Sequence, residues 1–140
     1  MKELVLFYSY TGNAKKAAQK FSLENNCDIC EVFDEKRPGK FAAYTAGCFK
    51  AMRGGERKIK PLTVNGNAVK FEDYESVNIF APIWANSLAP PINGALKLIP
   101  KKTKVKLFMV SASGRSGKDA ISKRVQDLGL ELMGYEDIKM

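Results

Sequence analysis

Short apolar runs alternate with helical patterns along the chain, and the runs predict five β-strands. Residues 4–8, 77–81 and 105–110 are almost wholly apolar and end at turn-forming residues. Strands buried on both faces of a parallel sheet have this composition, so these three runs predict central strands. Residues 27–33 and 130–135 mix polar with apolar positions, which predicts two edge strands.

Four helical patterns separate the strands. Apolar residues recur at intervals of three and four in residues 14–21 and 41–52, which predicts two amphipathic helices. A third helix is predicted to begin at Pro91, because proline is favoured at the first helical position. The fourth is predicted to begin at a capping box formed by Ser116 and Asp119.

This alternation predicts an α/β fold, in which a doubly wound, five-stranded parallel sheet lies between two layers of helices. Central first, third and fourth strands give the strand order 2-1-3-4-5. Residues 53–75 are polar and basic without a clear period, which predicts an ordered loop with a tight turn at residues 64–68. The chain has 140 residues, 45% of them hydrophobic, so residues 1–140 are expected to form a single domain with one core.

Composition removes several classes of chemistry. The sequence contains no histidine, which excludes His-dependent triads and His-ligated metal sites, and no metal site is predicted. The three cysteines, Cys27, Cys30 and Cys48, are few and odd in number, which argues against a disulfide framework. No signal peptide or membrane span is recognisable. A cytoplasmic location without membrane association is therefore expected.

The net charge of +8 is concentrated in two segments. Residues 34–60 carry eight Lys or Arg against three acids, and residues 97–124 carry nine against one. Such charge indicates an acidic partner or a nucleic acid. The aromatic residues of the first segment, Phe41, Tyr44 and Phe49, stand at helical core spacing. This spacing favours packing over base stacking, so nucleic acid is disfavoured as a partner.

Three loops follow the central strands and are expected to meet at one edge of the sheet, where ligands bind in such folds. The first loop leads into a helix, so its amides lie at the positive end of the helix dipole and can hold a phosphate without a cationic side chain. Ser9 and Thr11 supply hydroxyl donors, and Gly12 permits close backbone approach. The predicted phosphate loop consists of Ser9, Tyr10, Thr11, Gly12, Asn13 and Ala14.

This loop resembles the phosphate loop of the flavodoxin family, which has the pattern Ser/Thr-x-Thr-Gly-x-Thr. The match lies at Ser9, Thr11 and Gly12, and Ala14 stands where the family usually has threonine. The resemblance implies a flavodoxin-like fold with flavin mononucleotide (FMN) as cofactor. The hydroxyl that Ala14 lacks is worth one neutral hydrogen bond, so FMN affinity is expected to be about tenfold lower than with threonine.

Two further loops extend the resemblance over nearly the whole chain. The second is similar to the Pro-Ile/Val-Trp segment that lines the isoalloxazine ring in relatives, where Trp84 offers a flat apolar face; its alternative is a tryptophan that closes the end of the core. The third resembles the Thr/Ser-Ser-Gly-Gly stretch that closes over the flavin. The implied contacts come from Pro82, Ile83, Trp84, Ala85 and Asn86 in the second loop and from Ser111, Ala112, Ser113 and Gly114 in the third.

Two short motifs resemble other sites without meeting their requirements. Residues 114–118 are similar to a nucleotide P-loop, but that motif needs glycine in place of Ala112 and serine or threonine in place of Asp119. Cys27 and Cys30 have the spacing of a redox pair. They lie in a predicted strand, where residues three apart face opposite ways, so packing cysteines are predicted instead.

The resemblance implies electron transfer through bound FMN, in which the flavin performs the chemistry and no catalytic side chain is required. An electron carrier is preferred, with an FMN-dependent NAD(P)H:quinone or flavin reductase as the alternative, and the sequence does not separate carrier from oxidoreductase. The contrasting hypothesis is a cofactor-free flavodoxin-like module that binds acidic protein or nucleic acid. The positive charge predicts an acidic redox partner.

Members of the flavodoxin family usually add a helix after the fifth strand. Here residues 136–140 are all that follow Tyr135, so the fold is expected to lack that helix. One sheet face would then be bare and apolar over the third to fifth strands. Such a surface predicts a homodimer that covers it.

Overall fold

A computed structural model of the chain describes residues 2–34, 59–84 and 87–140. Its elements in chain order are β1 (Lys2–Phe7), α1 (Asn13–Asn25), β2 (Asp28–Glu31), β3 (Thr63–Val64), β4 (Asn67–Ala68), β5 (Tyr74–Trp84), β6 (Ser87–Leu88), α2 (Pro90–Leu96), β7 (Lys104–Ser111), α3 (Lys118–Asp127) and β8 (Glu131–Lys139). The main sheet has the order β2-β1-β5-β7-β8, and all four pairings are parallel. This confirms the predicted α/β fold and strand order. The helix predicted at residues 41–52 lies outside the described residues.

The larger core lies between the sheet and helices α2 and α3. Alternate residues of the central strands enter it, among them Leu6, Ile79 and Leu107, and each is fully buried. Ile92 of α2 and Ile121 of α3 pack against them and are also fully buried. Burial on both faces explains why β1 and β5 are continuous apolar runs, whereas the first half of β7 alternates exposed with buried residues.

Helix α1 covers the opposite face of the sheet over β1 and β5. Its buried residues Ala14, Ala18 and Ser22 stand four apart and so share one side of the helix. Phe21 packs against Phe80 and Phe108, with ring centroids 5.5 and 5.2 Å away. These contacts form a second, smaller apolar cluster around Val5 and Phe7.

On the α1 side, the surface of β7 and β8 is charged as well as apolar. Register pairs Lys104 with Glu131 and Phe108 with Glu136, so these side chains share that surface. The two β7 lysines on this side, Lys104 and Lys106, are exposed. Glu131 and Glu136 are also exposed, whereas Phe108 is half-buried. The expectation of a bare apolar surface was therefore wrong for much of this area. The homodimer stays a prediction, and its interface would have to pair charges.

Polar side chains gather where the strands begin, in a group that we name the amino-terminal cluster: Glu3, Asp28, Tyr74, Ser76 and Asn78. The Ser76 hydroxyl and the Asn78 amide donate to Glu3 Oε1 at 2.6 and 3.3 Å. The Ser76 bond is the main cause that lowers the pKa of Glu3, and burial opposes it. Tyr74 donates to Asp28 Oδ2 at 2.8 Å. Asn78 is fully buried, and its Oδ1 has no hydrogen-bond partner among the described residues.

The segment predicted as an ordered loop contains more regular structure than expected. β3 and β4 form a hairpin whose turn residues, Asn65 and Gly66, have φ values of 52° and 82°. Two positive φ values in a two-residue turn are typical of the Asn-Gly hairpin, which confirms the tight turn. Strand β5 begins at Tyr74, inside the predicted loop, because Tyr74 pairs with Lys2 of β1.

The two described cysteines are packing residues. Cys30 lies in β2 and is fully buried, and Cys27 precedes that strand and is half-buried. Burial raises the pKa of Cys30 to about 11 and also raises the pKa of Cys27. Both side chains are therefore thiols at neutral pH, which disfavours a reactive redox pair.

None of the helices in the described part of the chain has both the length and the apolar character needed to cross a membrane.

Candidate functional site

The loop between β1 and α1 is open toward solvent at the carboxyl end of the sheet. Gly12 has a φ of 103°, and a Cβ atom added to it would meet no other atom within 4 Å. The Gly12 amide donates to Ser9 Oγ at 2.9 Å, which leaves the Ser9 hydroxyl proton available to a ligand. Thr11 is exposed beside them. The backbone conformation therefore depends on glycine, and Gly12 leaves the space beside its Cα open among the described residues.

The first turn of α1 supplies backbone donors to this space. Gly12 is the N-cap and provides no side-chain cap, and the first amides of a helix have no partner within it. Asn13, Ala14 and Lys15 therefore direct amides with no helical acceptor toward the end of the helix, at its positive pole. The Ala14 side chain, in contrast, is buried against the sheet with 2% of its surface exposed.

Three aromatic rings connect the first loop to the end of β5. The Trp84 ring lies edge-on to Tyr10, with centroids 5.8 Å apart, and edge-on to Tyr8 at 6.3 Å. The Tyr8 hydroxyl donates to Asp34 Oδ2 at 3.0 Å. Trp84 is half-buried and packs against the large core, so it closes the end of the core and also keeps a solvent-facing part.

The position of Trp84 corrects the predicted second loop. Pro82, Ile83 and Trp84 belong to β5, which was expected to end at residue 81. The strand continues because β6 folds back on it, pairing Ile83 with Leu88 and Trp84 with Ser87. Ala85 and Asn86 lie outside the described residues.

The third loop, residues 112–117, follows β7 and is closed on itself by hydrogen bonds. The Arg115 amide donates to both Ser111 Oγ and Ser113 Oγ at 3.2 Å. The same two hydroxyls donate to the Arg115 carbonyl at 3.2 and 3.5 Å. Gly114 has a φ of 70°, and a Cβ there would come within 3.1 Å of Lys139 Cβ. Ser111 and Ser113 are therefore committed to the loop itself, so the peptide groups of Ala112, Ser113 and Gly114 are the parts most accessible to a ligand.

Ser116 does not cap helix α3, so the predicted capping box is wrong. The N-cap is Gly117, which has no side-chain cap. The Ser116 hydroxyl instead hydrogen-bonds to the Tyr135 hydroxyl and donates to Asp137 Oδ1 at 2.6 Å. Both partners lie in β8, which extends four residues beyond its predicted end at Tyr135. Tyr135 and Asp137 were missed as neighbours of the site, although their spacing of two residues in an extended segment places them on one face.

The structure thus brings two of the three predicted loops into direct contact. The first loop meets β5 through the contact of Tyr10 with Trp84. The third loop lies at the same edge, since Val110 pairs with Pro82 in the neighbouring strand. Its side-chain hydrogen bonds to described residues stay within the loop or its β7 end, or lead to β8. Chemically, the first loop can hold a phosphate, and the Trp84 ring next to it can contact a flat aromatic group.

Comparisons with known proteins show the same architecture. No protein-family model matches the chain, and no curated protein sequence matches it. Solved structures do match. One is a flavoprotein from Lactobacillus acidophilus NCFM in complex with FMN. Its sequence is 23% identical to this chain, the match covers 96% of this chain and 91% of that chain, and the TM-score is 0.76.

Two further solved structures agree. The apo form of the Lactobacillus acidophilus flavoprotein, determined by NMR, is 22% identical over 97% of this chain and 92% of that chain, with a TM-score of 0.67. A flavodoxin from Streptococcus pneumoniae TIGR4 is 11% identical over 100% of this chain and 87% of that chain, with a TM-score of 0.54. The strand order, the position of the first loop and these likenesses together show that the chain has the flavodoxin-like fold that its sequence motifs led us to expect.

Proposed function

We propose that this chain binds FMN and transfers electrons through it. The observation that carries the proposal is the uncapped amide end of α1, which follows a loop whose Tyr10 contacts the half-buried ring of Trp84 at the carboxyl edge of the sheet. In folds of this strand order, ligands bind at that edge where the order reverses, which here is between β1 and β5. A phosphate and a flat ring in one molecule match both parts of the site.

The residues of the site divide the binding of FMN between them. The amides of Asn13, Ala14 and Lys15 and the hydroxyls of Ser9 and Thr11 would hold the phosphate, which needs several donors to replace its hydration. The ring would lie near Trp84. The L. acidophilus protein of the same fold was solved with FMN, which supports FMN over other phosphorylated ligands.

Bound flavin supplies the redox chemistry in such proteins, and the chain contributes binding, orientation and shielding from water. Tyr8 and Tyr10 both make edge-on contacts with the Trp84 ring. The hydrogen bond from Tyr8 to Asp34 is buried and fixes the ring that supports Trp84 on the core side. The aromatic part of the site is therefore already formed before any ligand enters, which lowers the entropic cost of binding.

Positive charge near the site supports an acidic redox partner, and the free thiols support a cytoplasmic location. Lys16, Arg115 and Lys118 are exposed where α1 and α3 begin, and the described residues form no ion pair with them. Complementary charge accelerates the encounter of redox partners. Positive charge also favours anionic reduced flavin, so the potential of the bound flavin is expected to lie above that of acidic flavodoxins.

The decisive experiment is a titration of the purified protein with FMN, read by the emission of Trp84, the single tryptophan. We expect FMN to quench this emission and riboflavin, which lacks the phosphate, to bind much more weakly. Equal affinity for FMN and riboflavin would exclude a role for the first loop. An absence of quenching and of flavin absorption would favour the cofactor-free module.

A second assay separates electron carrier from reductase. The FMN-loaded protein is mixed with NADH or NADPH in the presence of a quinone. A carrier leaves the nicotinamide unoxidised and accepts electrons when a flavin reductase is added. Rapid oxidation of NADH or NADPH without an added reductase would assign the chain to the reductases.

A further inference from the structure

The third loop is attached to strand β8 through one hydroxyl group, that of Ser116. Because Ser116 donates its own proton to Asp137 Oδ1 at 2.6 Å, its oxygen accepts from the Tyr135 hydroxyl. We name this chain of two hydrogen bonds, from Tyr135 through Ser116 to Asp137, the Ser116 bridge. It connects the residue before the α3 N-cap to two residues of the edge strand that are 19 and 21 positions further along the chain.

The environment of the bridge favours this arrangement. Tyr135 is half-buried and packs against the large core, and burial is the main cause that raises its pKa. Tyr135 therefore keeps its proton and donates it at neutral pH. The ammonium group of Lys118 lies 5.6 Å from the centre of the Tyr135 ring, an approach typical of a cation–π contact. The bridge thus joins the loop to a side chain that is itself held in place.

The bridge is adjacent to the part of the loop that faces the site. The Arg115 amide, next to Ser116, is bonded to the hydroxyls of Ser111 and Ser113, and these bonds fix the peptide groups of residues 112–114. The Met140 amide, which follows β8, donates at 2.9 Å to the carbonyl of Ser111, the last residue of β7, so this bond lies outside the loop. Without the Ser116 bridge, no side-chain hydrogen bond among the described residues would hold this loop to β8.

We propose that Ser116 is a positioning residue, which holds the third loop against β8 so that its peptide groups meet the flavin in a fixed geometry. The inference rests on the proposed function, because it assigns the loop a contact with FMN. This role differs from the expected capping role, because a cap would stabilise the start of α3 and would make no bond between the loop and β8.

The test compares Ser116→Ala with Thr103→Ala as a matched control. Thr103 also makes a side-chain hydrogen bond, to the Pro100 carbonyl at 2.7 Å, but it precedes β7 at the opposite end of the sheet. We expect Ser116→Ala to weaken FMN binding about three- to tenfold, the range of one lost neutral hydrogen bond. It should also change the visible circular dichroism of bound FMN. Thr103→Ala should leave both readouts as in the wild type, and Ser116→Thr, which keeps the hydroxyl, should restore them.

Amide hydrogen exchange tests the bridge independently of FMN. In the protein without flavin, Ser116→Ala is expected to accelerate exchange at Arg115 several-fold, whereas Thr103→Ala leaves it unchanged. Tyr135→Phe removes one of the two partners of Ser116 and should accelerate exchange at the same Arg115 amide. This variant keeps the test available if Ser116→Ala does not fold.

The outcomes distinguish this inference from the proposed function. Wild-type exchange at Arg115 in both bridge variants would overturn the bridge, and faster exchange with unchanged FMN affinity and dichroism would overturn the positioning role. If the wild-type chain itself fails to bind FMN, the proposed function and the positioning role both fall. The exchange rates then decide whether Ser116 holds the loop at all.

Discussion

The polar groups at the two ends of the parallel sheet differ in whether they bond to other groups of the protein. At the beginning of the strands, the side chains of the amino-terminal cluster bond to one another, as Ser76 does to Glu3 and Tyr74 does to Asp28. At the carboxyl end, the first turn of α1 has no side-chain cap and Gly12 borders open space. The first end pairs its side chains with one another, except for Asn78 Oδ1, which has no partner among the described residues. The second end presents backbone donors to a ligand.

This difference separates stability from binding within one small fold. A polar group that is satisfied inside the protein contributes to the free energy of unfolding, whereas an unsatisfied donor at the surface contributes only when a ligand arrives. Substitutions at the amino-terminal cluster should therefore change stability and leave FMN affinity intact. Substitutions at the first loop should do the reverse.

The largest effect is expected from Gly12→Val. Gly12 has a φ of 103°, and a non-glycine residue in such a conformation costs about 1–3 kcal/mol, so the loop should change its backbone and turn its amides away from the phosphate. FMN binding, measured by Trp84 quenching, should weaken at least about tenfold. Gly66→Val is the matched control, because Gly66 also has a positive φ and open space around it but lies in the β3–β4 hairpin. Equal losses of affinity in both variants would show that the first loop has no special role.

The second effect should appear at the opposite end, in Asn78→Ala. Asn78 is fully buried and donates to Glu3 and to the Leu4 carbonyl, so truncation leaves the half-buried Glu3 carboxylate and the buried Leu4 carbonyl with fewer donors. The free energy of unfolding should fall by about 2 kcal/mol, within the range for broken buried hydrogen bonds. Urea denaturation measures this, and Asn25→Ala, which removes one exposed bond to the Phe21 carbonyl, is the control. A loss of FMN affinity in folded Asn78→Ala protein would contradict the separation of the two ends.

A gain of affinity is expected from Ala14→Thr. Its hydroxyl would add one donor to the phosphate, worth about 1 kcal/mol or a few-fold to tenfold in FMN affinity. Ala14 is buried at the first turn of α1, so the larger side chain will also cost stability. Ala14→Val has nearly the same volume without the hydroxyl, and the difference between the two variants isolates the hydroxyl. Identical FMN affinities for the threonine and valine variants would show that residue 14 does not limit binding.

Local patterns were sufficient for the architecture and for the first loop. The buried runs around Leu6 and Ile79 identified β1 and β5 because a strand covered on both faces needs apolar residues throughout, and the apolar run around Leu107 identified β7 although its first half is exposed on one face. The turn at Asn65 and Gly66 was recognisable because few residues adopt two successive positive φ values. The position of the first loop was predictable because a loop between a strand and a helix has its amides at the start of that helix, and its binding of phosphate stays a prediction.

Contacts between distant residues could not be predicted in the same way. Ser116 had the local spacing of a capping residue, yet its hydroxyl bonds to Tyr135 and Asp137, and no pattern around residue 116 contains that information. Strand β5 extends to Trp84 because a returning strand pairs with it, which the apolar run ending at residue 81 does not show. The charged surface of β7 and β8 was missed because the register that brings Lys104 beside Glu131 and Phe108 beside Glu136 is not visible in either strand's own sequence.

The smallest effect should come from Tyr74→Phe and should depend on pH. Burial, followed by the hydrogen bond to Asp28, raises the pKa of Tyr74 from 10.0 to about 12. A group with a raised folded pKa gives its full stabilisation below its unfolded pKa, and the stabilisation is lost as pH rises through the folded value. The wild type should therefore exceed Tyr74→Phe in unfolding free energy by about 0.5 kcal/mol at pH 8, the lower end for a net hydrogen bond. This difference should shrink from about pH 10 and reverse in sign before about pH 12, because the rise in the pKa of Tyr74 outweighs a hydrogen bond of about 0.5 kcal/mol.

Urea denaturation of both proteins at pH 8, 10 and 11 measures the difference directly, and it cancels the titration of lysines that the two chains share. FMN affinity at pH 8 serves as the second readout and should be the same in wild type and Tyr74→Phe, since Tyr74 lies at the beginning of β5 and the site at its end. A stability difference that stays constant up to pH 11 would mean that the Tyr74 hydroxyl does not couple its proton to folding. A change in FMN affinity would mean that the two ends of the sheet are energetically coupled. Loss of a hydrogen bond where β5 begins would then alter binding beside Trp84, where β5 ends.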